Sequence, residues 1–285
     1  MKQNSIIRIV IWSLVIFCLI GILLSGLGFR IYRSEFRTHL SSSNEISTPN
    51  TQSNMMNIPS EQVSEIDIDW YSGNIYIIPT DVDIITIGET EGDHPLVWKV
   101  EGNKLSIDFC EESIFGGLLL GRTAPKDLAI SVPQDWQCRN LSVDCASSRL
   151  LVQDLTIRKV EIDSASGTSE FVNCTVEELN VDAASGDVRF EGNLDTLEFD
   201  AASASFTATL HNTPRNIEMD TASGNLDLTL PEDAGFTVRM QGIKKDFTAD
   251  DFEIKVQNDS YIHGNGACRI DMDSMSGSVT LHKGA

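Results

Sequence analysis

The chain has 285 residues and a formal net charge of −21 at pH 7. Five Lys or Arg residues and one Glu lie between Met1 and Arg37, so this segment carries +4 and the rest of the chain −25. The length allows one large β domain or two smaller ones. A body this acidic repels phosphate backbones, which argues against nucleic-acid binding, and solubility is the simplest role of the charge.

An N-terminal membrane anchor is predicted over residues 1–37. Its apolar core, Ile9 to Phe29, contains no charged residue. A helix rises about 1.5 Å per residue, so this stretch is long enough to span a hydrocarbon core of about 30 Å. A cleaved signal peptide is the alternative, but its apolar region normally runs only about 7–15 residues, which favours a retained transmembrane helix.

The segment after the anchor is predicted to be a tether. Residues 38–61 are rich in Ser, Thr, Asn and Pro and show no apolar period, which is typical of a flexible polar linker. Residues 62–285 are then the folded acidic domain. Two basic residues precede the apolar run and three follow it, so the positive-inside rule leans slightly towards a cytoplasmic position for that domain.

The folded part contains a repeat that reads apolar, polar, apolar, Asp, any residue, small residue, Ser, Gly. Its aspartates are spaced by 19, 19, 18 and 20 residues, which indicates a repeat architecture. The five copies are LSVDCASS from Leu141, VEIDSASG from Val160, LNVDAASG from Leu179, LEFDAASA from Leu197 and IEMDTASG from Ile217. Two further copies, IDIDWYSG from Ile66 and IDMDSMSG from Ile270, flank this array.

Each copy is predicted to be a strand, a turn and a second strand. Leu179 and Val181 alternate with Asn180 and Asp182, and a period of two marks a strand with one buried face. The Ser-Gly pair that follows is a turn signal. A unit of about 19 residues cannot bury its own inner face, whereas stacked units bury a continuous core.

We therefore predict an all-β fold, a β-solenoid of about 19-residue Asp-x-Ala-Ser-Gly rungs spaced by about 4.8 Å, preceded by one N-terminal transmembrane helix. A β-sandwich is the alternative, although it does not require a fixed sequence period. The inward column that begins at Cys145 takes only small residues, so Cys145 is interpreted as a packing residue. Before the array, residues 98–107 are predicted to form two strands around a Gly-Asn turn.

The repeat aspartates are predicted to stack on the outer surface. They are Asp144, Asp163, Asp182, Asp200 and Asp220. Carboxylates about 4.8 Å apart repel by roughly 0.9 kcal/mol in a water-like dielectric, and hydrogen bonds from turn N–H groups and Ser hydroxyls are the expected relief. One Asp and one Ser per rung are too sparse for a calcium site, which needs about six to eight oxygens.

The sequence lacks the motifs of common catalytic centres. It contains no HExxH, GxSxG or Walker A motif, and its six cysteines form no CxxC pair. The cysteines are expected to be small buried groups, with a disulfide as the alternative. A glycosidase-like pair of acids is a weaker hypothesis, because the acids recur in every rung. No catalytic, cofactor-binding or metal-binding residue is assigned, and no cofactor is expected.

The recurring units resemble the bacterial putative-adhesin family, a β-solenoid domain without an established function. Three further stretches match it, LAISVPQDW from Leu128, LDLTLPEDAGFTV from Leu226 and GNGACRIDMDSMSGSVTL from Gly264. The resemblance covers Glu65 to Leu281. Ser148 and Ala204 replace the turn Gly in two units, which implies different turns there.

The resemblance also implies a location, because the family often follows one N-terminal anchor in Gram-positive bacteria, with the β domain outside. We expect a single-pass protein of the cell membrane with an extracytoplasmic, non-enzymatic, adhesin-like interaction module. Its expected partners are the membrane and an envelope protein or polymer, and not nucleic acid. The alternative is a membrane-tethered regulatory or sensor protein in cell-envelope stress signalling.

Overall fold

The computed structural model describes residues 55–90, 95–110 and 124–284. They are almost entirely β-strand, and no helix among them is long and apolar enough to cross a membrane. The predicted anchor, residues 1–37, lies outside the described residues.

Besides a 3-10 helix at Ser60–Gln62, the elements in chain order are β1 (Met55–Pro59), β2 (Glu65–Thr80), β3 (Ile84–Glu89), β4 (Val97–Glu101), β5 (Lys104–Asp108), β6 (Leu128–Pro133), β7 (Gln137–Gln153), β8 (Thr156–Leu210), β9 (Asn216–Ser223), β10 (Leu226–Leu230), β11 (Phe236–Thr248), β12 (Lys255–Gln257), β13 (Ser260–His263) and β14 (Cys268–Lys283).

The repeat units stack in parallel, in the register that the sequence period predicts. Leu141 of β7 pairs with Val160 of β8, and Leu197 of β8 pairs with Ile217 of β9. Equivalent residues of successive copies therefore lie side by side, and the backbone edge of each rung is paired with the next. The described residues form a β-solenoid-like stack, as predicted.

The inward columns of the stack form one continuous hydrophobic core. Every residue of the first two columns is at most 3% exposed; these are Leu141, Val160, Leu179, Leu197 and Ile217, then Val143, Ile162, Val181, Phe199 and Met219. The column of small residues that contains Cys145 ends on Trp70, which pairs with Cys145 across the strands and packs edge-on against Phe109. Burying each large side chain contributes about 1.5–3 kcal/mol, so these columns are the main source of stability.

The two outlying copies are rungs of the same stack. Ile66 of β2 pairs with Leu141, and Ile270 of β14 pairs with Ile217. At the C-terminal end the spatial order departs from the chain order, because β14 lies between β9 and β10 on one side and β11 on the other. The last copy in the sequence is thus an inner rung, and β11 lies beyond it.

Antiparallel strands cover the N-terminal end of the stack. The hairpin of β4 and β5 turns at Gly102-Asn103, as predicted, and β5 pairs in parallel with β2. The second segment of β2, residues 75–80, pairs with β6. Strand β6 pairs in turn with β3, and β3 pairs with β1. Strand β1 lies within residues 38–61, the predicted linker, so the folded domain begins earlier than expected. The reason is tertiary: Ile58 is buried in the core, which its polar neighbours in the sequence do not indicate.

The turn glycines Gly167 and Gly186 are required because the preceding rung approaches too closely for a side chain. Gly186 has a φ of +122°, and a Cβ built there would lie 2.0 Å from the carbonyl oxygen of Gly167. In the two units that lack this glycine, Ser148 and Ala204 are buried and their φ angles stay outside the left-handed region. Gly224 and Gly277 of the last two copies also lie outside the left-handed region, so the left-handed turn is restricted to the copies that end at Gly73, Gly167 and Gly186.

A buried ion pair lies at the N-terminal end of the core. The side chains of Lys126 and Glu89 are 2% and 7% exposed and form a salt bridge. The Lys126 ammonium lies 4.4 Å from the ring centroid of Phe109 and 5.0 Å from that of Trp70. Glu89 also accepts the backbone N–H of Leu96 at 2.9 Å. Neither charged residue belongs to the repeat, so sequence analysis did not identify the pair.

Candidate functional site

The main surface feature is a row of aspartates, which we call the aspartate ladder. Its members occupy equivalent positions on successive strands, in the order Asp108, Asp69, Asp144, Asp163, Asp182, Asp200, Asp220 and Asp273. The central five were predicted, and two more belong to the outlying copies. Asp108 was missed, although Leu105–Asp108 carries the apolar-polar-apolar-Asp signal, because no Ser-Gly turn follows it.

A second acidic row lies beside the ladder, two residues earlier in the rungs. It contains Asp67, Glu161, Glu198, Glu218 and Asp271, and we call the two rows together the acidic face. Lys104 pairs with Asp67 at 2.7 Å, and Lys159 pairs with Glu161 at 2.8 Å. Within the described residues, no salt bridge involves the ladder members Asp182, Asp200 or Asp220. The middle of the face therefore carries uncompensated negative charge.

Crowding raises the pKa values of the ladder carboxyls. Asp144 is exposed, but the close packing of neighbouring rungs removes part of the water around its carboxyl. This desolvation, followed by the charge of Asp163, raises the pKa of Asp144 to about 7. Partial desolvation of the half-buried Asp200, followed by the charge of Asp220, raises the pKa of Asp200 to about 6. Partial desolvation also raises the pKa values of the exposed Asp163, Asp182 and Asp220. Because Asp144 and Asp163 interact strongly, these two carboxyls titrate as a coupled pair.

The turn serines do not provide the relief that the sequence suggested. The Ser166 hydroxyl donates to the carbonyl oxygen of Ala146 at 3.3 Å, and the Ser185 hydroxyl donates to that of Ala165 at 3.3 Å. Both acceptors belong to the preceding rung, whose turn backbone lies directly beside the hydroxyl. These serines bond one rung to the next, and the ladder keeps its mutual repulsion.

We expect the stability of the protein to fall as pH rises through the titration of the ladder. A carboxyl whose pKa is raised by folding binds more protons in the folded state than in the unfolded state. Its stabilising contribution is fully present below the ordinary pKa of about 3.8 and is lost as pH rises towards the folded value of about 7 for Asp144. Thermal melts between pH 5 and pH 8 should give the lower melting temperature at pH 8. The Asp144→Asn variant should show a weaker pH dependence, and an unchanged dependence would contradict this assignment.

A polar groove of about 410 Å³ lies at the turns of the C-terminal rungs. Its polar groups are bonded to one another: Ser278 donates through its hydroxyl to the Asn225 side-chain oxygen at 2.8 Å, and the Ser205 backbone N–H donates to Asp187 at 3.1 Å. The Asn225 backbone N–H donates to the Ser205 hydroxyl at 3.2 Å. These bonds tie adjacent turns together and account for the polar residues structurally.

The cysteines of the described residues are free thiols, and four of the five are buried. Burial raises the pKa of Cys138 and Cys268 to about 12 and that of Cys174 to about 11. These thiols stay protonated at neutral pH and act as small packing groups, as interpreted from the sequence. The disulfide alternative is not realised among the described residues.

The described residues show no converging set of catalytic or ligating groups. No cluster of three or more His, Cys, Asp or Glu side chains within them is arranged to hold a metal ion. His211 and His282 are exposed, His263 is half-buried against the rings of Phe236 and Phe252, and His39 and His94 fall outside the described residues. The assignment of no catalytic, cofactor-binding or metal-binding residue stays a prediction.

The fold and the acidic face together define a repeat-built β protein that presents a charged, regular surface. The chain belongs to the Toastrack DUF4097 family, whose model matches residues 36–282. This match confirms the resemblance to a putative-adhesin family of unknown function. None of the curated proteins matches the chain.

Three solved structures are similar to the chain at low identity. A Bacteroides fragilis protein described as a putative adhesin shares 14% identity, covers 82% of this chain and 98% of its own, and has a TM-score of 0.48. A Parabacteroides distasonis protein described as a putative lipid binding protein shares 15% identity over 81% of this chain and 97% of its own, with a TM-score of 0.42. A Clostridium sporogenes protein described as a putative cell adhesion protein shares 8% identity over 82% and 99%, with a TM-score of 0.38. Similarity at this level carries no information on function.

Proposed function

We propose that this chain is a non-enzymatic interaction module of the bacterial cell envelope, anchored in the cell membrane with its β domain on the extracytoplasmic side. The acidic face is the observation that carries this proposal. Its eight ladder aspartates repeat along a stack of paired strands and do not converge on one point. Catalysis requires groups that converge on a reacting atom, whereas a repeating face suits a partner that contacts many equivalent positions.

The charge of the face favours a cationic partner, such as a basic protein segment or an amine-bearing polymer of the envelope. Association would be steered by the field of the face and weakened by salt. The anchor is supported by the uncharged run from Ile9 to Phe29 and by the family resemblance. The regulatory alternative stays a hypothesis, because no feature of the described residues favours it.

The role of the acidic face is tested by neutralising its centre. The full chain in neutral detergent micelles is titrated with polylysine as a model cationic polymer. The triple variant Asp182→Asn, Asp200→Asn, Asp220→Asn is expected to bind polylysine severalfold more weakly than the unchanged protein. A control with Asp233→Asn, Asp250→Asn and Asp251→Asn removes the same charge from exposed positions outside the face. Equal losses in both variants would assign the binding to net charge alone and reject the face as the binding surface.

The proposed topology has its own test. In intact protoplasts that express the full chain with a C-terminal tag, added protease should remove the tag, because the β domain lies outside. The membrane fraction should retain the N-terminal segment after carbonate extraction. Protection of the tag until the protoplasts are lysed would place the domain in the cytoplasm and reject this part of the proposal.

A further inference from the structure

We propose that a second face of the β domain rests on the lipid surface of the membrane. This inference depends on the anchor in the proposed function and adds an orientation to it. Each N-terminal rung has two strand segments separated by a turn, and the first segment carries the acidic face on its outward side. The proposed contact lies on the outward side of the second segment, across the core from the acidic face.

The proposed contact surface consists of two rows that cross five neighbouring strands, β1, β3, β6, β2 and β7. The first row is Met55, Gly88, Ala129, Tyr76 and Leu151, and the second is Asn57, Thr86, Ser131, Ile78 and Gln153. We call these ten residues the neutral face. They alternate along each strand with core residues such as Ile77 and Ile130, so they point away from the core.

The neutral face contains no charged residue, although the chain as a whole carries −21. Met55 is 67% exposed and Ile78 is 37% exposed, so apolar side chains reach the solvent here. Charge returns where the face ends, because Leu151 pairs across the strands with Glu170, which forms a salt bridge with Arg149. An uncharged patch with exposed apolar side chains is typical of an interaction surface.

The position of the chain's remaining residues indicates which surface this patch meets. The segment that contains the predicted anchor joins the domain at Met55, which is itself a member of the neutral face. Twenty-five residues separate Phe29 from Met55. For the flexible polar linker that the sequence predicts, 25 residues correspond to a mean end-to-end distance of about 25–30 Å, which would hold the neutral face close to the bilayer.

Charge selects this face for the contact. Bacterial membranes that contain anionic lipids repel acidic surfaces, and a face without acids avoids that repulsion. The half-buried Tyr76 presents an aromatic ring with a polar hydroxyl, which suits the headgroup region. The two strand segments of a rung enclose one core, so their outward sides point in opposite directions. A domain that rests on the neutral face therefore presents its acidic face away from the membrane, towards the envelope.

The size of the patch favours a lipid surface over a second copy of the chain. Five strands by two rows cover roughly 300 Å², whereas a stable protein interface buries about 800 Å² on each partner. A tethered domain needs only weak affinity for the bilayer, because the tether holds it at an effective concentration of about millimolar.

The contact is tested in the full chain reconstituted into phosphatidylcholine vesicles that contain phosphatidylglycerol and nitroxide-labelled headgroup lipids. A fluorophore is attached to Ile78→Cys on the neutral face or to Glu198→Cys on the acidic face, with the unsubstituted chain as the background for the native thiols. Nitroxide quenching at position 78 should exceed that at position 198 severalfold. Adding Met55→Glu or Tyr76→Glu to the Ile78→Cys chain should lower the quenching towards the level at position 198. Thr156→Glu, which adds the same charge at an exposed position outside the neutral face, should leave it unchanged.

Each outcome separates this inference from the proposed function. A chain that floats with the vesicles but shows equal quenching at positions 78 and 198 has an anchor and no lipid contact, which overturns the inference alone. A chain that does not float has no anchor, which overturns both. Disulfide-linked dimers through Ile78→Cys in place of quenching would show that a second copy covers the face. Quenching unaffected by both Met55→Glu and Tyr76→Glu, in folded protein, would also reject the neutral face as the contact.

Discussion

Replacing Val181 with Asp is expected to lower the free energy of unfolding by about 3–5 kcal/mol, because it places an unpaired carboxylate in the core. Val181 is 3% exposed and lies in an inward column between residues of neighbouring rungs. No cation lies in these columns, so the new group either stays charged without a partner or takes up a proton at a strongly raised pKa. Urea unfolding followed by circular dichroism measures the loss.

The control for this substitution adds the same residue at an outward position. Thr168 is exposed and pairs across the strands with Arg149, so Thr168→Asp should change the free energy of unfolding by less than about 0.5 kcal/mol. Asn180, although it neighbours Val181 and points outward, is a poorer control because its amide donates to Glu178 and acids surround it. Similar losses for Val181→Asp and Thr168→Asp would show that the inward and outward assignment of the strand is wrong.

Replacing Lys126 with Met is expected to lower the free energy of unfolding by about 3–5 kcal/mol, because it leaves Glu89 as an uncompensated charge in the core. The ammonium of Lys126 also contacts the Phe109 and Trp70 rings, and those cation–π contacts are lost with it. Urea unfolding of the variant gives the difference directly, provided that its m-value is unchanged.

A double variant separates the charge effect from the packing effect. Lys126→Met combined with Glu89→Gln removes both charges and keeps an oxygen that can accept the Leu96 N–H. Its stability should recover to within about 1–2 kcal/mol of the unchanged protein, since apolar replacements of buried ion pairs are often close to neutral. A double variant as unstable as Lys126→Met alone would mean that the pair matters through its shape and not through its charge.

The acidic face and the neutral face give one domain two kinds of surface. The repeat itself places Asp at one outward position of almost every rung, which produces the ladder. The neutral face lies mostly on strands outside the array, namely β1, β3 and β6, where that constraint does not apply. The two faces are therefore independent in sequence, and variants of one leave the residues of the other intact.

The repeat alone was enough to predict the β-solenoid, its register and the central ladder. The period of about 19 residues places Leu141 beside Val160 and Leu197 beside Ile217, because equivalent residues of stacked copies must pair to bury a shared core. Alternation of apolar and polar residues likewise determined which side of each strand is buried. The Ser-Gly pair of each copy also predicted the position of the turn, because glycine adopts a positive φ without steric cost.

What the sequence did not determine are contacts between segments that are distant in the chain and share no repeat. Strand β1 is recognised only through its pairing with β3, and β14 joins an inner rung although it is the last strand. The Lys126–Glu89 pair and the alignment of the neutral face arise in the same way. A period constrains only the residues that repeat, whereas inserted strands find their neighbours through backbone pairing and shape, which a single sequence does not display. Tertiary structure therefore decided where the neutral face lies and added Asp108 to the ladder, whereas the repeat alone placed the central five aspartates.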